Sequence, residues 1–141
     1  KQLAQYVVIY SPLQMASDDP YAYEGKKAFD FIKDVPCDWH ESHVLDAVIG
    51  DYVITARRDR NSEDWYLGAI TDENARELTV SLSFLEPGTE YTAQIYADGP
   101  DASYEDNPES VTYSELTVTS ADSLNMNLAT SGGCAVRFVK K

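Results

Sequence analysis

The chain has 141 residues, enough for one domain, or for one small domain with part of another. Eleven Lys and Arg against 24 Asp and Glu give a formal charge of −13. That excludes nucleic acid and anionic membrane as partners, since both are held by cationic faces. Aromatics at 11% exclude a disordered acidic tail, and no run of 18 apolar residues is present to span a bilayer.

The first segment, "KQLAQYVVIYSPL", is apolar from its third residue. Leu3, Ala4, Val7 and Val8 fall at helical spacing, and Ile9 and Tyr10 widen the stripe. The pattern predicts an inner helix over 3–10, ended by Pro12. No capping residue, basic signal start or initiator Met precedes it, so a longer natural chain is expected. "LQMAS" reads as a short buried strand, and "DDP" exits it into a turn. Ala28, Phe29, Ile32 and Val35 then form the stripe of a short amphipathic helix, with Lys26, Lys27, Asp30 and Lys33 opposite and Pro36 as its stop.

After Pro36 the period changes from 3.6 to 2. "DYVITARR" and "DWYLGAIT" alternate, as do Leu78, Val80, Leu82 and Phe84, then Tyr91, Ala93, Ile95 and Ala97. "RDRNSED", "TDENA" and "EPGTE" supply the turns, and "DGPDASYEDNPES" is a long acidic loop. Three further strands are predicted over 111–119, 123–129 and 134–139. The class is mainly β: an antiparallel sandwich with a helical preface. Leu78, Val80, Leu82, Phe84, Tyr91, Ile95, Val136 and Phe138 are its expected core.

Several residues invite a chemical reading. His40-x-x-His43 can share a metal on a helix, but zinc needs a third ligand, and the pair is placed in a linker, which favours ordinary surface histidines. Asp98, Asp101, Glu105, Asp106 and Glu109 offer oxygens to calcium without the spacing of a calcium loop, so a solvated loop is expected. Asp18 and Asp19 follow the "LQMAS" segment. If that segment is a barrel strand, they sit at its C-terminal end, where barrel active sites lie; otherwise they build the turn before Pro20. Asp18 is therefore the candidate cleft residue. Arg57, Arg58 and Arg60 are read as ion-pair partners at a hairpin end. Trp65, Tyr66 and Tyr96, with Tyr91 and Tyr104, can form a sugar platform or belong to the core. Cys37 and Cys134 can pair only if the domain ends meet; two free thiols are expected. No Ser-His-Asp set, phosphate loop or Cys-x-x-Cys is present, so no catalytic residue and no metal ligand is assigned.

"QLAQYVVIYSPLQMASDDPYAY", "FDFIKDVPCDWHESHVLDAVIGDYVITARR", "DWYLGAIT", "RELTVSLSFL" and "YTAQIYADG" occur in this order. Together they resemble the C-terminal end of glycoside hydrolase family 97, the Bacteroides-type exo-acting α-glucosidases and α-galactosidases. The resemblance implies that residues 1–36 are the last helix–strand–helix of a (β/α)8 barrel and that 37–141 are a C-terminal β-sandwich. It also implies a non-catalytic domain that braces the barrel, with catalytic carboxylates and calcium ligands held elsewhere, in the barrel. The implied location is periplasmic or otherwise exported in a Gram-negative bacterium. The implied partner is the rest of the barrel; without it, residues 3–15 are expected to drive self-association. A carbohydrate-binding module is the alternative. After Pro36 the family pattern resembles Thr-x-Trp-Asp-Glu-Thr, where this chain has Cys37, Asp38, Trp39, His40, Glu41 and Ser42. Trp39 should lie buried between the second helix and the sandwich.

Overall fold

In the computed structural model, which describes residues 1–141, the period-2 segments form eight strands. These are β1 (Trp39–Val48), β2 (Tyr52–Asp59), β3 (Trp65–Thr71), β4 (Arg76–Ser81), β5 (Tyr91–Asp98), β6 (Val111–Val118), β7 (Ser123–Leu128) and β8 (Gly133–Lys140). They make a six-stranded sheet in the order β1-β2-β3-β8-β5-β6 and a two-stranded sheet β4-β7. Every pairing is antiparallel. Two helices, α1 (Gln2–Val8) and α2 (Ala28–Asp34), complete the fold.

The large sheet is covered on both faces. Ile54, Ala56, Trp65, Leu67, Ala93, Val136 and Phe138 point to one side, where the small sheet closes the sandwich core with Val80, Leu124, Met126 and Leu128. Residues one step out of phase, Tyr66, Tyr96 and Ala135, point to the other side and meet Ala4, Val7, Phe31 and Trp39. β3 is therefore buried along almost its whole length, and the usual alternation of a half-buried strand is lost there.

Of the expected core, Val80, Leu82, Tyr91, Ile95, Val136 and Phe138 are buried, while Leu78 and Phe84 pack partly buried against the same cluster. β4 stops at Ser81; Leu82 and Leu85 enter the core from the turn beyond it, closed by Leu85 N–H on the Leu82 carbonyl at 2.9 Å. β1 starts at Trp39, so the stretch expected as a linker is strand, and both His40 and His43 lie on it.

The preface departs further from expectation. α1 ends at Val8, because Ile9 turns extended at φ −92° and ψ 109°. "LQMAS" is not a buried strand: Met15 is 76% exposed and no strand pairs with this segment. A strand needs a neighbour to take its backbone groups, and none in this chain lies alongside. The segment is held instead by Tyr6 Oη on the Met15 carbonyl at 3.0 Å and Gln14 Nε2 on the Ile9 carbonyl at 3.1 Å. α2 is rotated from its predicted stripe. Phe31 and Val35 face the sheet, while Ala28, Phe29 and Ile32 line an open groove.

Both cysteines are free thiols. Cys134 faces the sandwich core, where burial, then the nearby Asp98 carboxylate, pushes its thiol up to about 12. Thiol reagents at pH 8 should therefore modify Cys37 in the native protein and Cys134 only after denaturant is added; a thiol count by absorbance checks this.

α1 lies close on the sheet because Gly68 leaves room for it. A Cβ on Gly68 would meet the Ala4 carbonyl oxygen at 2.6 Å and Val7 Cβ at 3.0 Å. The Gly68→Val variant should lift α1 off β3 and lose about 1–3 kcal/mol through overpacking. Urea unfolding measures the loss, and faster amide exchange confined to residues 2–8 would locate it.

Candidate functional site at the helix-sheet seam

The polar and aromatic residues of the chain converge on the seam between the helices and the large sheet. Tyr66 is its centre. Its ring meets Phe31 edge-on at 6.0 Å and Trp39 at 5.7 Å, and its hydroxyl donates to the Asp34 carbonyl at 2.9 Å. That bond satisfies a carbonyl in the last turn of α2. Burial raises the Tyr66 phenol above its ordinary value, so it stays a donor. Phe31 also meets Tyr96 at 5.4 Å, and Tyr96 meets Tyr113 at 5.0 Å. Edge-to-face rings at these separations add to the area they bury.

Two arginines fasten the helices. Arg57, on β2, donates from Nε to the Val7 carbonyl at 2.5 Å and from a terminal nitrogen to the Val8 carbonyl at 3.4 Å. Its other terminal nitrogen donates to Ser42 Oγ at 2.7 Å, and the guanidinium lies 6.0 Å from the Trp39 ring centre. It caps the negative end of α1, which carries no basic residue of its own in its last turn. The reading of Arg57 as an ion-pair partner is thus corrected: its partners are backbone carbonyls and a hydroxyl. Partial burial lowers its affinity for the proton. Arg137, on β8, bridges Asp34 of α2 at 2.5 Å and Asp64 beside β3 at 2.9 Å.

The other candidates have structural roles. Trp65, Tyr66 and Tyr96 are 4%, 2% and 4% exposed, so they form no sugar platform; Trp65 belongs to the sandwich core and the two tyrosines to the seam. Asp18 accepts from the Asp19 N–H at 2.8 Å, and Asp19 caps the short 3₁₀ turn Pro20–Tyr23 through the Tyr21 N–H at 3.0 Å. Asp18 lines the groove of about 1130 Å³ between the preface and the acidic loop; Asp98 and Glu109 line it too, each already engaged, Asp98 by backbone N–H groups and Glu109 by Lys26. His43 lies 3.1 Å from Glu41 and tilts over Trp65 at 5.7 Å, whereas His40 is exposed. Arg58 faces Glu41 and Glu63 at 3.8 Å, and Arg60 pairs with Asp38 at 2.8 Å, as expected of a hairpin end.

In the acidic loop, Asp101 accepts from Asn107 at 2.9 Å and from Ser110, and Glu105 accepts from Tyr104 at 2.8 Å. Glu109 pairs with Lys26 at 2.8 Å. Asp98 accepts the Ala129 and Gly133 N–H groups at 2.9 and 2.8 Å, closing the turn before β8. No three His, Cys, Asp or Glu side chains converge on a point. The arrangement is a joint: it locks two helices to a sheet.

Residues 38–139 match the domain family described as "Glycosyl-hydrolase 97 C-terminal, oligomerisation". The chain belongs to glycoside hydrolase family 97. It is 43% identical over 103 residues to the retaining alpha-galactosidase of Bacteroides thetaiotaomicron, a match that takes in 72% of this chain and 15% of that protein. A family 97 enzyme from Pseudoalteromonas sp. strain K8, solved in complex with acarbose, superposes with a TM-score of 0.95 at 49% identity over 99% of this chain and 22% of that one. A beta-arabinopyranosidase at 24% identity and TM-score 0.74 shares the fold. The chain thus spans about a fifth or less of the relatives' length, and in family 97 terms it is the C-terminal domain with the preface that packs on it.

Trp39, 6% exposed, fills the seam as expected. Trp39→Ala should cost about 3–5 kcal/mol. Arg57→Ala should cost about 1.5–3 kcal/mol through two α1 carbonyls left without their charged donor. Denaturant unfolding of both variants, read with near-UV circular dichroism, checks these values.

Proposed function

We propose that this chain is the brace of an exo-acting α-glycosidase that hydrolyses terminal α-glucosidic or α-galactosidic bonds. The seam carries the reading. α1 and α2 each give one face to the large sheet, through Ala4, Val7 and Phe31. Beyond those faces apolar side chains stay open: Ile9, Tyr10, Leu13 and Met15, in the segment after α1, are exposed, and Ala28, Phe29 and Ile32 of α2 line the groove. A helix anchored on one face and open on the other suits a layer between the sandwich and a catalytic barrel. Family membership, the retaining α-galactosidase relative and the acarbose complex of the Pseudoalteromonas enzyme support this parent chemistry.

The chemistry itself needs two carboxylates flanking the scissile bond in a shaped cleft. This chain supplies the mount, not the pair. The family resemblance assigns calcium to the barrel. An exported, periplasmic setting follows from the same resemblance. Leu3, Val7 and Val8, first expected to drive self-association, are turned toward the sheet; only residues 9–15 keep an open apolar surface. We assign that surface to the rest of the barrel.

The purified chain should give no turnover of p-nitrophenyl α-glucoside or α-galactoside above a heat-killed control. Turnover that follows the folded protein would overturn the non-catalytic role. Placed in a full-length family 97 enzyme, Trp39→Ala should lower the thermal midpoint and leave KM for the same substrates unchanged, because the seam touches no substrate.

A further inference from the structure

The large sheet ends in two open edges, and they differ. β1 carries two register shifts, between Trp39 and Glu41 and between Val44 and Asp46. Bulges of this kind bend an edge away from intruding strands. β6, "VTYSELTV", pairs with β5 over all eight residues without a shift. It has no proline and no lysine, and Glu115 is its only charge in a chain of net charge −13. All its residues except Tyr113 and Val118 are exposed. The edge strands of the small sheet are shorter, at six residues each.

The direction of the free groups on β6 follows from its neighbours. Gly99 N–H donates to the Ser110 carbonyl, and the register continues in steps of two. Thr112, Ser114, Leu116 and Val118 therefore turn their peptide groups to β5. Val111, Tyr113, Glu115 and Thr117 turn theirs outward. This is an unprotected row of donors and acceptors on residues of high β-propensity.

We propose that β6 is the dimerisation edge of the domain, with a second copy of this chain adding its own β6 antiparallel about a two-fold axis at Ser114. The proposal rests on the oligomerisation role described for this family domain and names its surface. The register follows from charge. An axis at Glu115 would set the strand's one carboxylate against its own copy, which is destabilising. An axis at Ser114 sets Glu115 opposite Tyr113, Leu116 opposite Thr112 and Thr117 opposite Val111. It also crosses the ends of the strand. The acidic loop, with Asp101 and Glu109, precedes β6, while at the far end Lys141 Nζ lies 2.9 Å from Thr117 Oγ1 and 3.3 Å from the Glu90 carboxylate. Antiparallel pairing about this axis makes the contact isologous, each copy giving the same strand to the other. The result is one sheet running through both copies.

Sedimentation equilibrium of the 141-residue chain measures the association. Two variants locate it. Glu115→Pro removes an outward N–H and no ladder bond to β5; it should weaken dimerisation at least tenfold with the far-UV spectrum unchanged. Ser114→Cys, made on a Cys37→Ser background, should give a disulfide-linked dimer under mild oxidation, because residues on the axis face each other closely. The crosslink decides the matter should Glu115→Pro fail to fold. Leu13→Asp probes the apolar surface of residues 9–15. A monomer at every concentration overturns the proposal. So does a dimer that survives Glu115→Pro and gives no crosslink through Ser114→Cys. If Leu13→Asp dissociates that dimer, the interface is the preface, and the family's oligomerisation role stands on another surface.

Discussion

A sheet buried on both faces constrains everything else in this chain. With the small sheet on one side and two helices on the other, the central strands have no solvent face to give to polar residues. β3 answers with Trp65, Leu67 and Ala69 on one side and Tyr66, Gly68 and Ile70 on the other. The side chains in the second set are dictated by what lies on them. Gly68 is small because α1 crosses it. Tyr66 is a tyrosine and not a phenylalanine because the last turn of α2 presents a carbonyl that a hydroxyl can reach. A buried hydroxyl without that partner would destabilise the fold.

The same constraint explains the two arginines. A helix of seven residues has little stability of its own in water, and α1 and α2 are both that length. Their last carbonyls would be left short of donors where they meet the sheet. Arg57 and Arg137 supply those donors or their charge from the strands, so the sheet caps the helices that cover it. Arg137 is tied at once to Asp34 and to Asp64, and Asp64 is itself buried. A charged group in such a place is tolerated when both signs and their hydrogen bonds are present together. The seam is therefore cooperative: aromatic packing holds the helices near, and the arginines fix where their ends fall.

The sugar-platform reading failed for the same reason that the seam works. Aromatic side chains near a domain surface look alike in sequence whether they face a ligand or a neighbouring helix. Tyr66 and Tyr96 lie out of phase with their strands' sandwich-facing residues, as ligand-binding rings would. The rings that cover them, Phe31 over both, Trp39 beside Tyr66 and Tyr113 beside Tyr96, make them core.

Much was legible from the residues alone. Apolar periods of two placed six of the strands closely, because a pleated strand must turn alternate side chains inward, and Pro12 and Pro36 marked where helix had ended. The run of ordered motifs pointed to the family. What sequence could not carry was anything set across the large sheet. Arg57 reads locally as one of three arginines at a hairpin end; its role exists only where Val7 and Val8 arrive from fifty residues away. Arg137 reads as a solvent-facing charge between Val136 and Phe138, and becomes a clasp only when α2 lies over it. The same holds for α2, where Ala28, Phe29 and Ile32 of the predicted stripe face the groove while Phe31 and Val35 face the sheet, and for "LQMAS", whose strand pattern has no neighbour here to pair with. Local periodicity decides which residues are strand or helix, because that depends on near neighbours. Which face is buried, and whether an arginine is a surface ion or a helix cap, was decided by the tertiary structure, because that depends on which distant element comes to cover it.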